Sequence, residues 1–333
     1  MYAPPTVEIV MKESEAFEQQ IRLIYELLEG SGAEVTWNDH IPDPDNPSQQ
    51  RQIDITIRRD GKLTHVECRG HQSRQDVRWV EELIGRRLSL KADAIIGVSS
   101  SGFTTGALNK AKQHPVILRD LLQLTDLEVK SWGGRVALTL YFYQYSDLEL
   151  LLCFKRESIP RLEMDVVRSE LTSGPHIQSL FNLAAQQLGT LNLMNGHHTG
   201  RTVDFGLPPL ALTGFVLSGE PVLEVHFRGK AQLISKEVIS PAVLAYGNPE
   251  NNTAQRDAVV EKFSLGETSI VHDASRISVF LDLSQVEMPP FCQFQFFALA
   301  GQDEMDHEAI ELAGLDKLRR VQGRMNNISI CSM

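Results

Sequence analysis

The feature that most constrains the fold of this chain is a predicted β-hairpin around Asp60-Gly61. Residues 53–59 and 62–69 on either side alternate between apolar and polar side chains. An Asp-Gly pair between two such runs is a strong signal for a two-residue turn, because both residue types accept the positive φ angles that this turn needs. Such a turn pairs Arg59 with Lys62 and thereby sets the register of the whole hairpin.

This register predicts which side chains share a face of the hairpin. Asp54 lies opposite Glu67, and alternation places Arg69 on the same face as Glu67. The other face is predicted to contact the core, because its side chains are apolar: Ile53, Ile55, Ile57, Val66 and Cys68. Directly opposed Cβ atoms are about 4.5–5.5 Å apart.

Two carboxylates at that separation predict a cation site. They repel each other unless a cation lies between them, and paired oxygen ligands suit Mg²⁺. A basic residue beside them, here Arg69, can hold a phosphate or an attacking water. The pattern therefore favours metal-assisted hydrolysis of a phosphodiester. The alternative interpretation from the residues alone is a solvent-exposed polar face without chemistry.

The first part of the chain predicts an α/β domain. Helical spacing of apolar residues indicates helices over residues 12–29, 76–90 and 104–113. Buried-type strands are predicted at residues 94–98 and 116–118. Because short links connect strand, helix and strand, these segments predict parallel βαβ units with a right-handed crossover.

The remainder of the chain has a different pattern. Short strand-like segments between residues 136 and 299 are separated by turn residues, and a helix is predicted at about 175–188. Such punctuation is typical of a β-sandwich or an α+β domain. We therefore expect two domains, an α/β domain over residues 1–125 and a β-rich accessory domain over residues 135–333.

Charge and cysteine usage bound the function classes. The net charge is −11, yet residues 51–125 carry 13 basic and 8 acidic residues, so this segment is compatible with phosphate binding. The four cysteines have no Cys-x-x-Cys spacing, which predicts reduced thiols and no structural zinc site. No apolar run approaches the ~18 residues of a membrane span, and residues 1–5 do not resemble a signal peptide. We therefore expect a soluble cytoplasmic protein.

The hairpin motif resembles the core of the PD-(D/E)xK nuclease superfamily. Asp54 stands on one strand and Glu67-Cys68-Arg69 on the next, with arginine where lysine is usual. Two further stretches resemble the Mrr-like restriction endonuclease branch: VEELIGRR at 80–87, and AIIGVSSSGFTTGALNKAK at 94–112 followed by VILRDL at 116–121. The resemblance covers about residues 12–125 and implies a restriction-endonuclease-like core, a mixed sheet flanked by helices.

This resemblance implies roles for the catalytic and metal-binding residues. Asp54 and Glu67 would ligate Mg²⁺, for which Mn²⁺ can substitute, and the carbonyl of Cys68 is an additional candidate ligand. Arg69 would orient the attacking water and stabilise charge in the transition state. Glu18 matches a position that contributes to the metal site in some members, although a solvated helix carboxylate explains it equally well.

It also implies contacts with nucleic acid. The candidate residues are Gln75, Arg78, Ser101 and Thr104. The first two have an alternative role as ordinary surface residues. Ser101 precedes a helix whose N-terminus can hold a phosphate, and Thr104 can equally cap that helix.

The implied function is a Mg²⁺-dependent DNA endonuclease in restriction or defence against foreign DNA. Cutting both strands needs two sites, so a homodimer or higher homo-oligomer is expected, and a partner protein of a defence system is compatible with this role. However, arginine cannot transfer a proton as lysine can, which leaves a weak or inactive nuclease-fold protein, acting as a nucleic-acid-binding or scaffold module, as the alternative. In some superfamily members the following helix supplies the basic group, here Arg78 or Arg86.

Overall fold

The computed structural model describes residues 13–132, 134–173, 175–195, 199–210, 215–273, 275–300, 306–323, 325 and 327–333. Residues 1–5, which are not expected to form a signal peptide, lie outside the described residues. The α-helices, numbered along the chain, are α1 Glu13–Glu29, α2 Val77–Ser89, α3 Thr105–Lys112, α4 Asp126–Ser131, α5 Met164–Ser173, α6 Pro175–Asn195 and α7 Leu315–Arg319.

The strands, numbered in the same way, are β1 Glu34–Pro42, β2 Gln50–Arg59, β3 Lys62–Arg69, β4 Ala94–Ser99, β5 Val116–Gln123, β6 Ala137–Phe154, β7 Thr202–Gly206, β8 Val216–Leu217, β9 Glu220–Val238, β10 Ala242–Gly247, β11 Ala258–Lys262, β12 Ser269–His272, β13 Arg276–Asp282, β14 Cys292–Ala300, β15 Asp306–Ala313 and β16 Ile328–Ser332. The helices predicted at 12–29, 76–90 and 104–113 are confirmed as α1, α2 and α3.

The chain forms two compact units, and each combines several segments. Unit 1 comprises residues 1–137, 239–282 and 300–313, and unit 2 comprises residues 138–238, 283–299 and 314–333. This division differs from the predicted contiguous one, because residues 239–282 and 300–313 supply strands to the sheet of unit 1. Pairing between segments so far apart in the chain leaves no periodic signal in the local sequence.

Unit 1 contains a ten-stranded mixed sheet with the order β1-β2-β3-β4-β5-β10-β11-β12-β13-β15. The pairs β3–β4 and β4–β5 are parallel, which confirms the predicted βαβ units through α2 and α3. The remaining pairs are antiparallel except β13–β15. The restriction-endonuclease-like α/β core predicted from the sequence is thus the N-terminal half of this sheet with its helices.

The two faces of this sheet pack against different helices. The α1 face is apolar, and Ile21 and Ile24 of α1 pack in one buried cluster with Ile55 and Val66 of the hairpin. The opposite face holds α2 and α3, and Leu83 of α2 belongs to a second buried cluster. The polar residues of β2 and β3 therefore lie on the α2 face, because successive strand residues point to opposite sides.

Unit 2 is strand-rich, as predicted for the C-terminal region. Its six-stranded sheet has the order β14-β6-β9-β7, with β16 paired to β6 and β8 paired to β9. Its buried cluster joins side chains of β6 and β9, such as Leu152 and Phe227, to Phe181 of α6. The strands predicted at 136–145 and 148–154 are one continuous strand, β6, with a register shift between Ser146 and Glu149.

The cysteines correct one prediction. Cys153 of β6 and Cys331 of β16 form a disulfide within unit 2, so the prediction of reduced thiols is wrong for this pair. The parallel pairing of β6 with β16 places the two residues directly opposite each other, 178 positions apart in the chain. Cys68 and Cys292 are free thiols. Among the described residues, no helix combines the length and apolar character that a membrane crossing needs.

Candidate active site

The predicted hairpin forms with the predicted register. Asp60 and Gly61 both have positive φ, and Arg59 pairs with Lys62. The pairing continues without interruption to Ile55 and Val66, and extending this register by one residue brings Asp54 opposite Glu67. At this position the side chain of Asp54 bonds to β3 itself, since the backbone N–H of Cys68 donates a hydrogen bond of 2.7 Å to Asp54 Oδ2.

Both carboxylates occupy an environment that disfavours their charge. Burial raises the pKa of Asp54, although the hydrogen bond from Cys68 and the charges of Arg86 and Arg69 oppose that effect. Burial and the neighbouring Asp54 together raise the pKa of Glu67 to about 7, against the opposing effect of Arg86. A cation between the two groups would oppose this effect and favour their charged forms.

Arg86 of α2 supplies part of this positive charge. Its Nη2 atom lies 2.7 Å from Glu67 Oε1 and donates a hydrogen bond of 2.8 Å to the carbonyl of Gln52. The contact with Glu67 lacks hydrogen-bond geometry, so the buried Oε1 atom of Glu67 has no hydrogen-bond partner. One guanidinium thus pairs with Glu67 and lies within electrostatic range of Asp54, while Oε1 of Glu67 accepts no hydrogen bond.

A glycine on the neighbouring strand lets α2 approach this closely. Gly97 of β4 pairs with Glu67, and a Cβ atom at Gly97 would lie 2.6 Å from Leu83 Cδ1 and 3.3 Å from the Trp79 ring. Without that Cβ atom α2 packs directly onto the sheet. The close packing brings the polar face of α2 to the end of β3.

The donor set fits a hard divalent cation. Two adjacent carboxylates, one with an orphaned oxygen, can provide two ligands, and the carbonyl of Cys68 is on the same strand as Glu67. The described residues contain no group of three or more His, Cys, Asp or Glu side chains that could hold a metal ion. The remaining ligands would therefore be backbone oxygen, water or substrate, which Mg²⁺ readily accepts.

Glu18 lies near this pair but has a partner of its own. Its Oε2 atom accepts a hydrogen bond of 3.1 Å from Trp37 Nε1. Burial raises the pKa of Glu18, and the charge of Asp54 raises it further. The structure thus brings Glu18 within electrostatic range of Asp54, from the first helix, as a third carboxylate.

Arg69 is held by α2 rather than by the two carboxylates. Its Nη2 atom lies 2.6 Å from Glu82 Oε2, and its guanidinium carbon lies 4.8 Å from the centre of the Trp79 ring. Nη1 donates a long hydrogen bond of 3.5 Å to Gln75 Oε1. A charged pair and a cation–π contact together fix the guanidinium against α2.

The residues expected to contact nucleic acid have mixed surroundings. Arg78 is the most open, with 86% of its side chain exposed. Gln75 is buried and donates a hydrogen bond to the Ser73 carbonyl, and Ser101 Oγ donates to the same oxygen. Thr104 Oγ1 accepts a hydrogen bond from Ala107 N and caps α3. Three of the four side chains are therefore used within the loops that border the site.

The sequence pattern did not point to Glu82 or Trp79, and it indicated Arg86 only as a substitute for Arg69. Glu82 and Arg86 are four positions apart in α2, a spacing that places both on one helix face. This spacing was visible in VEELIGRR. The strand that this face contacts depends on tertiary packing, so the pairs with Arg69 and Glu67 had no local signal.

Comparisons with known proteins bear on the first part of the chain. None of the curated proteins matches this chain. The crystal structure of the protein of unknown function AF1548 matches with a TM-score of 0.27 and 19% identity, over 31% of this chain and 56% of that one, and supports no inference. Residues 14–127 match the Mrr_cat family model, a restriction endonuclease domain, which confirms the resemblance of this part of the chain to the Mrr-like branch of the PD-(D/E)xK nucleases.

Proposed function

We propose that this protein is a metal-dependent DNA endonuclease. The observation that carries the proposal is the adjacent pair Asp54 and Glu67, which is partly buried, lies near Arg86 and has raised pKa values. The match of residues 14–127 to a restriction endonuclease family supports a nuclease of that type. When bound, Mg²⁺ would activate a water and neutralise charge on the phosphate.

The chain's own residues would position the substrate. The backbone of β3 holds one oxygen of Asp54, so its second oxygen would be available to a bound cation. Arg86, already beside Glu67, can contact a phosphate held at the pair. Arginine offers planar paired donors that match phosphate oxygens, but it cannot take a proton from water. Arg69 and Arg86 would therefore act through charge and orientation.

The biological setting is part of the same proposal. The enzyme would act in the cytoplasm in restriction or defence against foreign DNA, as a homodimer or higher homo-oligomer that cuts both strands, alone or with a partner protein of that system. A reducing cytoplasm keeps most cysteines as thiols. Alkylation before cell lysis therefore tests this location, because it labels Cys153 and Cys331 only where their disulfide is reduced.

A second candidate function is a catalytically weak nuclease fold that binds nucleic acid. The arrangement of Arg69 favours it, because this residue pairs with Glu82 rather than with a carboxylate of the site. A module of this kind would bind DNA without cutting it.

Cleavage of supercoiled plasmid and phage DNA with Mg²⁺ or Mn²⁺ separates the two functions. We expect cutting by the wild-type protein and a loss of about 10³-fold, or ~4 kcal/mol of activation free energy, in Asp54→Ala. Asp93→Ala is a matched control, because Asp93 is an exposed carboxylate at the opposite end of β3, where it accepts a hydrogen bond from Leu63 N. Absence of cutting by folded wild-type protein, with either metal, would leave only the binding module.

A further inference from the structure

Arg69 and Arg78, two basic residues beside the site, share one carboxylate. Glu82 Oε2 lies 2.6 Å from Arg69 Nη2, and Glu82 Oε1 lies 3.5 Å from Arg78 Nε. The other acidic side chain at this position of α2, Glu81, instead pairs with Lys110 at 2.9 Å. Glu82 therefore neutralises positive charge where the resemblance implies contact with DNA.

The pair between Glu82 and Arg69 is open to exchange. The side chain of Glu82 is 44% exposed and that of Arg69 is 35% exposed, so a ligand from solvent can reach both. Exposed pairs of this kind contribute little to stability, because solvent and salt screen their attraction. A phosphodiester can therefore compete with the Glu82 carboxylate for the same guanidinium face.

The other contacts of Arg69 do not depend on Glu82. The Trp79 ring lies against its guanidinium, and Trp79 itself is buried, stacked on Phe103. Gln75, also buried, offers an oxygen to Nη1. These two side chains keep the guanidinium at the end of β3 when its ionic partner changes, so only the partner of Nη2 needs to be replaced.

We propose that Glu82 is a positioning residue that holds Arg69 in the absence of DNA and gives it up to a DNA phosphate on binding. This inference rests on the proposed function, because it assumes that DNA approaches the site beside Arg69. Glu82 then lowers the affinity for any DNA that does not displace it. The contact acts as a built-in competitor against weak, non-productive binding.

Fluorescence anisotropy of a labelled DNA duplex tests this competition. Ca²⁺ replaces Mg²⁺ so that the carboxylates of Asp54 and Glu67 have a divalent cation available while DNA binding is measured. The variants are Glu82→Gln, Glu81→Gln, Arg69→Gln and the double variant Arg69→Gln/Glu82→Gln. Glu81→Gln is the matched control, since it removes the same charge from the adjacent position of α2 without touching Arg69.

We expect Glu82→Gln to tighten binding about fivefold relative to Glu81→Gln. The slope of log K against log salt should become steeper by up to ~0.9, the value for one added phosphate contact. In the Arg69→Gln background the change at Glu82 should have no more effect than Glu81→Gln. A role of Glu82 in stability alone would alter the melting temperature and leave the salt slope unchanged.

Three outcomes would overturn the inference. Equal effects of Glu82→Gln and Glu81→Gln would mean general repulsion of DNA by acidic residues. If Glu82→Gln tightens binding as much in the Arg69→Gln background as in the wild-type protein, Glu82 acts on DNA through Arg78 or directly. Failure of the wild-type protein to bind DNA would remove the proposed function itself, and the inference with it, whereas the first two outcomes leave that function in place.

Discussion

Glu67 and Asp120 are two carboxylates of the same sheet, and comparing them separates an ion pair that solvent can reach from one that is sealed. The side chain of each is 13% exposed, and each contacts an arginine, Arg86 and Arg256 respectively. Glu67 is on β3 and Asp120 is on β5. Equal burial alone would predict equal behaviour.

Their neighbours differ in charge and access. Glu67 faces a second carboxylate, Asp54, and its arginine is 40% exposed. The arginine of Asp120 is only 3% exposed, and the nearby charges, from Arg256 and Arg74, both lower the pKa of Asp120 against the effect of burial. Glu67 therefore belongs to a group with excess negative charge and an exchangeable counter-ion. Asp120 belongs to a sealed pair with balanced charge.

The difference indicates where a ligand can enter. An exposed guanidinium can be displaced by a metal ion or drawn toward a phosphate at little cost. A buried guanidinium cannot leave without exposing two unpaired charges to a medium of low polarity. An arginine–carboxylate pair can thus exchange its partner at one position of the sheet and stabilise the fold at another.

The largest expected effect comes from removing the sealed partner. Arg256→Met leaves Asp120 buried without its arginine, so the free energy of unfolding should fall by about 3–5 kcal/mol. Arg86→Met should cost less than Arg256→Met, because Arg86 is 40% exposed whereas Arg256 is 3% exposed. Urea denaturation at neutral pH measures both. Similar losses in the two variants would contradict the distinction between sealed and exchangeable pairs.

A smaller effect should appear in the pH dependence of stability. The pKa of Glu67 is raised from 4.5 to about 7 by burial and by Asp54. The folded protein therefore holds this proton more tightly than the unfolded chain does. The stabilisation is fully present below pH 4.5 and is lost as the pH rises through about 7.

We expect Glu67→Gln to remove this contribution. Between pH 5 and pH 8 the wild-type protein should lose ~1–3 kcal/mol more of its free energy of unfolding than the variant does. Chemical denaturation at a series of pH values provides the measurement. Parallel curves for the two proteins would show that Glu67 is not the group responsible, and Asp93→Ala serves as the exposed control.

The placement of Asp54 and Glu67 was predictable because the geometry of the hairpin is local. The Asp60-Gly61 turn fixes the register, and the alternation of β2 and β3 then places Asp54, Glu67 and Arg69 without any tertiary information. Family resemblance added the expected chemistry to these positions. The helices α1, α2 and α3 also followed from their own periodicity.

The partners of these residues were not predictable in the same way. The contact of Arg86 with Glu67 depends on how closely α2 packs on β4, and Arg256 reaches Asp120 from a segment 136 residues away. The strands β10 to β13 carry no signal that assigns them to the first sheet rather than to the second. Contacts between distant parts of the chain therefore determine which arginine neutralises each carboxylate.

The smallest expected effect concerns Glu18, the third carboxylate near the exchangeable pair. Its hydrogen bond from Trp37 occupies Oε2, and the described residues hold no three-ligand group that would include it. Glu18→Gln keeps a hydrogen-bond acceptor for Trp37 and removes one negative charge near Asp54. We therefore expect cleavage to fall by less than ~10-fold, about 1.4 kcal/mol, against about 10³-fold for Asp54→Ala.

Single-turnover cleavage at saturating Mg²⁺, together with calorimetric titration of the metal, distinguishes the two roles available to Glu18. If Glu18 acts only through its electrostatic effect on Asp54, Glu18→Gln should change the metal affinity slightly and the cleavage rate by a similar factor. Trp37→Phe, which removes the hydrogen-bond donor and keeps the carboxylate, should then have an effect no larger than Glu18→Gln. If Glu18→Gln instead loses nearly as much cleavage rate as Asp54→Ala, Glu18 is a metal ligand. The candidate site would then contain three carboxylates, whereas the sealed pair contains only Asp120.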